Sequence, residues 1–163
     1  MSLIRQYGRR RYGQVGAKIL FYAVGLAFSA AQFGGPSVRA AEVLPGPVAA
    51  DVVKVIDGDT LDVMARVWLG QTIHVRVRLD GVDTPELRGR CAGERAQAEE
   101  ARSWLERQLA GRSIALRQVR LGKYAGRVVA RVELDDGQDL SVMLLRSGLA
   151  RPYDGRRRAD WCG

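Results

Sequence analysis

A chain of 163 residues has room for one domain and little else. Its 26 basic and 18 acidic side chains give a formal charge of +8, yet residues 1–41 hold six of the basic groups and none of the acidic ones, leaving 20 against 18. Bulk charge therefore makes no case for a nucleic-acid partner, which local placement has to supply, and a single histidine argues against a zinc cluster of Cys and His ligands.

The first forty residues read as a targeting segment. Basic residues up to Lys18 precede the apolar run Ile19 to Phe28, and Val38-Arg39-Ala40 offers a small-x-Ala cleavage site before Ala41. The run is shorter than the ~20 residues of a transmembrane helix. Small flanking residues lengthen it, so an uncleaved anchor through residues 19–31 competes with a signal peptide over 1–40. The first reading implies a secreted or periplasmic protein without stable membrane contact, the second a membrane-anchored one. Cys91 and Cys162 are the only cysteines, and an even number in an exported chain suggests a disulfide. Two free thiols, or pairing between molecules, are the alternatives.

Residues 41–50, with Pro45-Gly46-Pro47, read as a linker before a domain over 51–163. Val52 to Ile56 predicts a strand that enters a tight turn at Asp57-Gly58. Leu61, Val63, Ala65 and Val67 alternate with polar or longer residues, as do Ile73, Val75, Val77 and Leu79 after the turn at Leu69-Gly70-Gln71. This is a hairpin of two half-buried strands. From Gly93 to Ala110 the period changes, with Ala98, Ala101, Leu105 and Leu109 at helical spacing and Gly111 as a stop. Strand character returns over Ile114 to Val119 and Val128 to Leu134. Asp139 caps a short helix over Leu140 to Arg146, ended by Gly148. Five strands, a helix between the third and fourth, and a further C-terminal helix fit a mainly β fold of the OB-barrel type.

The chemistry concentrates in three segments. Asp59 lies two residues before Leu61 and shares its side of the strand, where a carboxylate at the mouth of an apolar barrel needs a partner. Asp83 follows the strand that pairs with it. Oxygen ligands of this kind suit Ca2+, or less readily Mg2+, although each Asp taken singly is an ordinary turn former. Arg78, Glu86 and Arg127 add two guanidinium forks and a carboxylate beside the acidic pair.

Four blocks resemble the staphylococcal nuclease (thermonuclease) family: Val55 to Thr60, Arg78 to Glu86, Lys123 to Arg127, and Leu145 to Ala150. The resemblance runs from about Val52 to Tyr153. It implies an OB-type barrel that hydrolyses DNA and RNA with Ca2+ and little sequence specificity. By position it assigns Ca2+ to the Asp59 and Asp83 carboxylates and the Thr84 carbonyl. It has Glu86 orient or deprotonate the attacking water, and Arg78 and Arg127 grip the phosphate. Lys123, Tyr124 and Tyr153 fall where the substrate would lie, but the Lys123–Arg127 block has one residue more between Tyr and Arg than the commonest family form.

Arg156-Arg157-Arg158 reads as a solvated charge run, and Trp68, Trp104 and Trp161 as packing groups. A monomer is the default expectation. Against the nuclease stand two other readings: an inactive OB-type nucleic-acid-binding module, and an envelope protein that uses the barrel to bind protein or glycan.

Overall fold

The computed structural model describes residues 42–163. The proposed signal or anchor lies outside the described residues. Eight strands and two helices follow in chain order: β1 (Val43–Leu44), β2 (Val48–Asp57), β3 (Thr60–Trp68), β4 (Gln71–Leu79), β5 (Val82–Asp83), α1 (Ala92–Leu109), β6 (Ile114–Leu121), β7 (Arg127–Leu134), α2 (Leu140–Arg146) and β8 (Arg151–Pro152).

The five long strands close into a barrel in the order β6-β2-β3-β4-β7, because β7 pairs with β6 as well as β4. All these pairings are antiparallel except β4 with β7, which sets Arg76 opposite Arg127 and Leu79 opposite Ala130. The expected OB-type barrel is present, with its helix between the third and fourth long strands. Residues 43–50 differ from the expected linker. β1 pairs with Val119 and Arg120, and β2 starts at Val48, bonded to Leu116. The short apolar stretches on either side of Pro45-Gly46-Pro47 carry too few residues to show a period.

The interior follows the alternation in the strands. Leu61, Val63 and Ala65 from β3, Val77 and Leu79 from β4, and Leu116, Ala130 and Val132 from β6 and β7 form one core with Leu105, Leu140 and Leu144 from the helices. Burying a side chain of this size stabilises by about 1.5–3 kcal/mol. Ala98, Ala101, Leu105 and Leu109 are the buried stripe of α1, as their spacing predicts.

β3 departs from a half-buried strand at its start. Thr60 and Asp62 are covered along with Leu61 and Val63: the Thr60 hydroxyl donates to Asp59 at 2.9 Å, and Arg76 lies on the Asp62 carboxylate at 2.8 and 3.1 Å. A Cβ on Gly58 would come within 2.8 Å of the Ala101 Cβ and of the Thr84 hydroxyl. The glycine is what lets the helix rest on the turn.

Three contacts gather the later elements around the same end. Asp139 caps α2 by accepting from the Ser141 and Val142 N–H groups at 2.8 and 3.2 Å. The Ser141 hydroxyl donates to the Asp80 carbonyl at 2.8 Å, tying α2 to the turn after β4. β5 pairs with β8, with Asp83 opposite Arg151, so the tail begins beside Asp83.

Candidate active site

Asp59 and Asp83 come from different turns and meet through one guanidinium. Arg78, near the end of β4, donates to the Asp59 Oδ1 at 2.7 Å and to the Val82 carbonyl at 3.2 Å, and lies 3.5 Å from the Asp83 Oδ1. Asp59 and Asp83 are each 2% exposed. Asp59 also accepts from the Thr60 hydroxyl at 2.9 Å and the Thr84 N–H at 3.4 Å. Burial raises the Asp59 carboxyl from its ordinary value to about 7, against the pull of Arg78, with the neighbouring Asp57 adding to the rise. A second cation at this carboxylate would offset that burial.

Pro85 leads to Glu86, whose side chain is 47% exposed. Its backbone is held from beneath. Glu94, buried in the first turn of α1, accepts from the Glu86 N–H at 3.3 Å and the Arg90 N–H at 2.9 Å.

Cys91 and Cys162 form a disulfide, with 5.9 Å between their Cα atoms. Closing so long a loop stabilises by about 4 kcal/mol in the chain-entropy model, less any strain. The Cys91 Sγ is also the N-cap of α1 and accepts from the Glu94 N–H at 3.3 Å. The bridge folds the tail back over the carboxylates. There Arg158 donates to the Asp83 Oδ1 and the Thr84 carbonyl, each at 2.6 Å, and to Glu86. The Trp161 indole N–H donates to the other Asp83 oxygen at 3.1 Å.

Two expectations are corrected here. Arg158 is not part of a solvated run, and Trp161 is not merely a packing group. Neither position has a periodic neighbour that would mark it; the usable signal was Cys162, one residue after Trp161 and four after Arg158. Glu94 was also missed, because one Glu among several in a run of helix formers looks like surface.

Beside the carboxylates lies an open cavity of about 420 Å³, lined by Arg78, Glu86, Lys123, Tyr124, Arg127, Tyr153, Arg156 and Arg158. The Arg78 guanidinium lies 5.6 Å from the centre of the Tyr153 ring, and Arg127 and Lys123 lie 5.5 and 6.0 Å from that of Tyr124. Both tyrosines are therefore at the cavity despite the extra residue after Tyr124. Trp68, expected to be a packing group, is instead 72% exposed at the far end of β3, away from the site.

The sequence-predicted residues thus fall into two adjoining groups. Asp59, Asp83, Thr84 and Glu86 present oxygens, and Arg78, Arg127 and Lys123 present cationic groups along the cavity. The oxygen set fits a hard divalent cation: two buried carboxylates and a carbonyl, with a guanidinium already resting on three oxygens of this group.

Known proteins resemble this chain at the level of the family. The family described as staphylococcal nuclease homologue matches residues 76–160. The chain is 38% identical over 96 residues to the protein named probable endonuclease LCL3 of Arthroderma otae, covering 56% of this chain and 33% of that protein. It is 37% identical over 97 residues to the protein of that name from Coccidioides posadasii, covering 57% and 30%. Against that from Nakaseomyces delphensis it is 32% identical over 92 residues, covering 55% and 35%. The chain spans about a third of the length of these curated relatives. With its barrel, its matched segment and these relatives, the chain belongs to the staphylococcal nuclease family.

Proposed function

We propose that this chain is a metal-dependent nuclease that hydrolyses phosphodiester bonds of DNA and RNA with little sequence specificity. The observation that carries this reading is the meeting of two buried carboxylates, Asp59 and Asp83, at one edge of a cavity bordered by Arg78, Arg127 and Glu86. Family membership and relatives named endonucleases support it at the coarser level of nuclease function.

Each residue has a task that its chemistry suits. A divalent cation, Ca2+ by family resemblance, held by Asp59, Asp83 and the Thr84 carbonyl would supply positive charge at the non-bridging phosphate oxygens. Arg78 and Arg127 grip those oxygens with planar donor forks, and gain strength as charge develops in the transition state. Glu86 accepts a proton from the attacking water as the water oxygen bonds to phosphorus; the ester P–O bond breaks with its electron pair on the leaving oxygen, which takes up a proton from solvent. Tyr124 and Tyr153 offer ring faces, which accept bases of any sequence, and Lys123 offers a phosphate contact. The working protein is a monomer, exported to the periplasm or medium.

The test is cleavage of single-stranded DNA and of RNA by the full chain, with Ca2+ and with chelator, beside Glu86→Ala. The expected outcome is Ca2+-dependent cutting that falls ~10²–10³-fold in the variant, the loss typical of a removed catalytic donor. One observation favours binding without cleavage: Arg158 lies on Glu86 and Asp83. Binding of DNA by folded protein that cuts in no divalent metal would establish that second reading.

A further inference from the structure

The three oxygens that Arg158 holds come from the cluster a divalent cation would need. Its Nε and one terminal nitrogen donate to the Asp83 Oδ1 and the Thr84 carbonyl, each at 2.6 Å, and its other terminal nitrogen donates to Glu86. The side chain is 35% exposed and its Asp83 partner 3% exposed, so one end of the contact is shielded from water. Surface pairs are worth little, but this one is a fork on a buried carboxylate.

Residues 158–162 are fastened at several points that leave the barrel untouched. The Cys91–Cys162 bridge closes the far end. The Trp161 indole donates to Asp83, and Arg151 stacks on its ring at 3.9 Å. Arg151 also donates to the Asp160 carbonyl at 2.7 Å, and Arg90 to its carboxylate at 3.1 Å. Among the described residues, no buried core residue lies beyond Ala150. The tail can therefore leave without opening the core.

Charge decides what this tail does. The Asp59, Asp83 and Glu86 carboxylates outnumber the one guanidinium of the barrel, Arg78, that lies on Asp59 and beside Asp83. A second cation is required, and either a guanidinium or a divalent ion can supply it; the shared oxygens do not allow both. We propose that Arg158, held by the Cys91–Cys162 bridge, is the residue that sets the metal affinity of this site: a resident cation that a divalent ion must displace. This rests on the metal-dependent reading above. A ligand that binds only the open state has its affinity reduced by the open fraction. A tail that is closed nine-tenths of the time thus weakens metal binding about tenfold.

The bridge makes this threshold sensitive to thiols. A dithiol reductant transfers two electrons and two protons to the disulfide, which becomes the Cys91 and Cys162 thiols while the dithiol closes to its own disulfide. The tail then loses its covalent fastening.

The experiment is calorimetric titration of the full chain with Ca2+, comparing wild type, Arg158→Gln, Cys91→Ser/Cys162→Ser and Asp83→Asn, each checked for a cooperative melt. Arg158→Gln is expected to bind Ca2+ about tenfold tighter or more. The double serine variant and wild type treated with dithiol are expected to move the same way. Dithiol should have no effect on the affinity of Arg158→Gln. Equal or weaker binding in Arg158→Gln, with binding lost in Asp83→Asn, would overturn the proposal and leave the metal site standing. Absence of Ca2+ binding in both wild type and Arg158→Gln would overturn the proposal together with the metal-dependent reading.

Discussion

The two ends of the β3–β4 hairpin are built from the same pair of strands and live in different surroundings. Thr60 faces Arg78 at one end, where α1 and the tail cover the chain and even charged groups are buried. Trp68 faces Gln71 at the other, about 26 Å along the strand. There Trp68 is 72%, Leu69 88% and Ile73 48% exposed. Apolar residues stand in water at the tip while carboxylates are covered at the base. What surrounds a strand, and not the strand's own pattern, decides where a charge can be kept.

Loosening the covered end would cost the most stability. Leu105 of α1 is fully buried in the core beneath it, and Leu105→Ala is expected to cost about 2–5 kcal/mol of stability by urea denaturation. A loss below 1 kcal/mol would mean that the helix is not what covers the site end.

A smaller effect comes from the Asp80–Arg120 pair, which ties the turn after β4 to β6 with bonds of 2.8 and 2.6 Å. The hydrogen bonds from Arg120 hold the Asp80 carboxyl below its ordinary value. A lowered folded-state value contributes stability above the unfolded value of about 3.9, lost as pH falls through the folded one. Asp80→Asn should therefore melt below wild type at pH 7, and the gap should close below about pH 4. A gap that persists in acid would assign the effect to packing.

Least is expected at the tip. Trp68→Ser with Leu69→Ser should change stability by less than about 0.5 kcal/mol and leave cleavage unaltered, as substitutions at exposed positions generally do. A large loss of activity would join the tip to the site and remove the contrast.

Much of the barrel was legible in the sequence because alternation in β3 and β4, helical spacing in α1 and the Asp139 cap each state a local rule that the packing obeys. Asp59 was legible through the block Val55 to Thr60 that carries it. β1 and the start of β2 were not, since their partners lie some seventy residues away in β6. The parallel pairing of β4 with β7, which closes the barrel, is equally non-local. At the candidate site, the oxygen and guanidinium groups stood in recognisable blocks. Arg158 and Trp161 did not, because their placement depends on a covalent fastening and not on a repeating pattern.

Glu94 has a mechanical consequence. By accepting from both Glu86 and Arg90 it spans the loop like a bracket, so the main chain of Glu86 is anchored to the start of α1. Glu86 then has only its own side-chain torsions to search, which suits the role proposed for it. Gly89 leaves room for the bracket, since a Cβ there would run into the Glu94 carboxylate. A methyl group at residue 89, which is outside the oxygen and guanidinium groups, would unlatch the loop and turn a poised carboxylate into a wandering one.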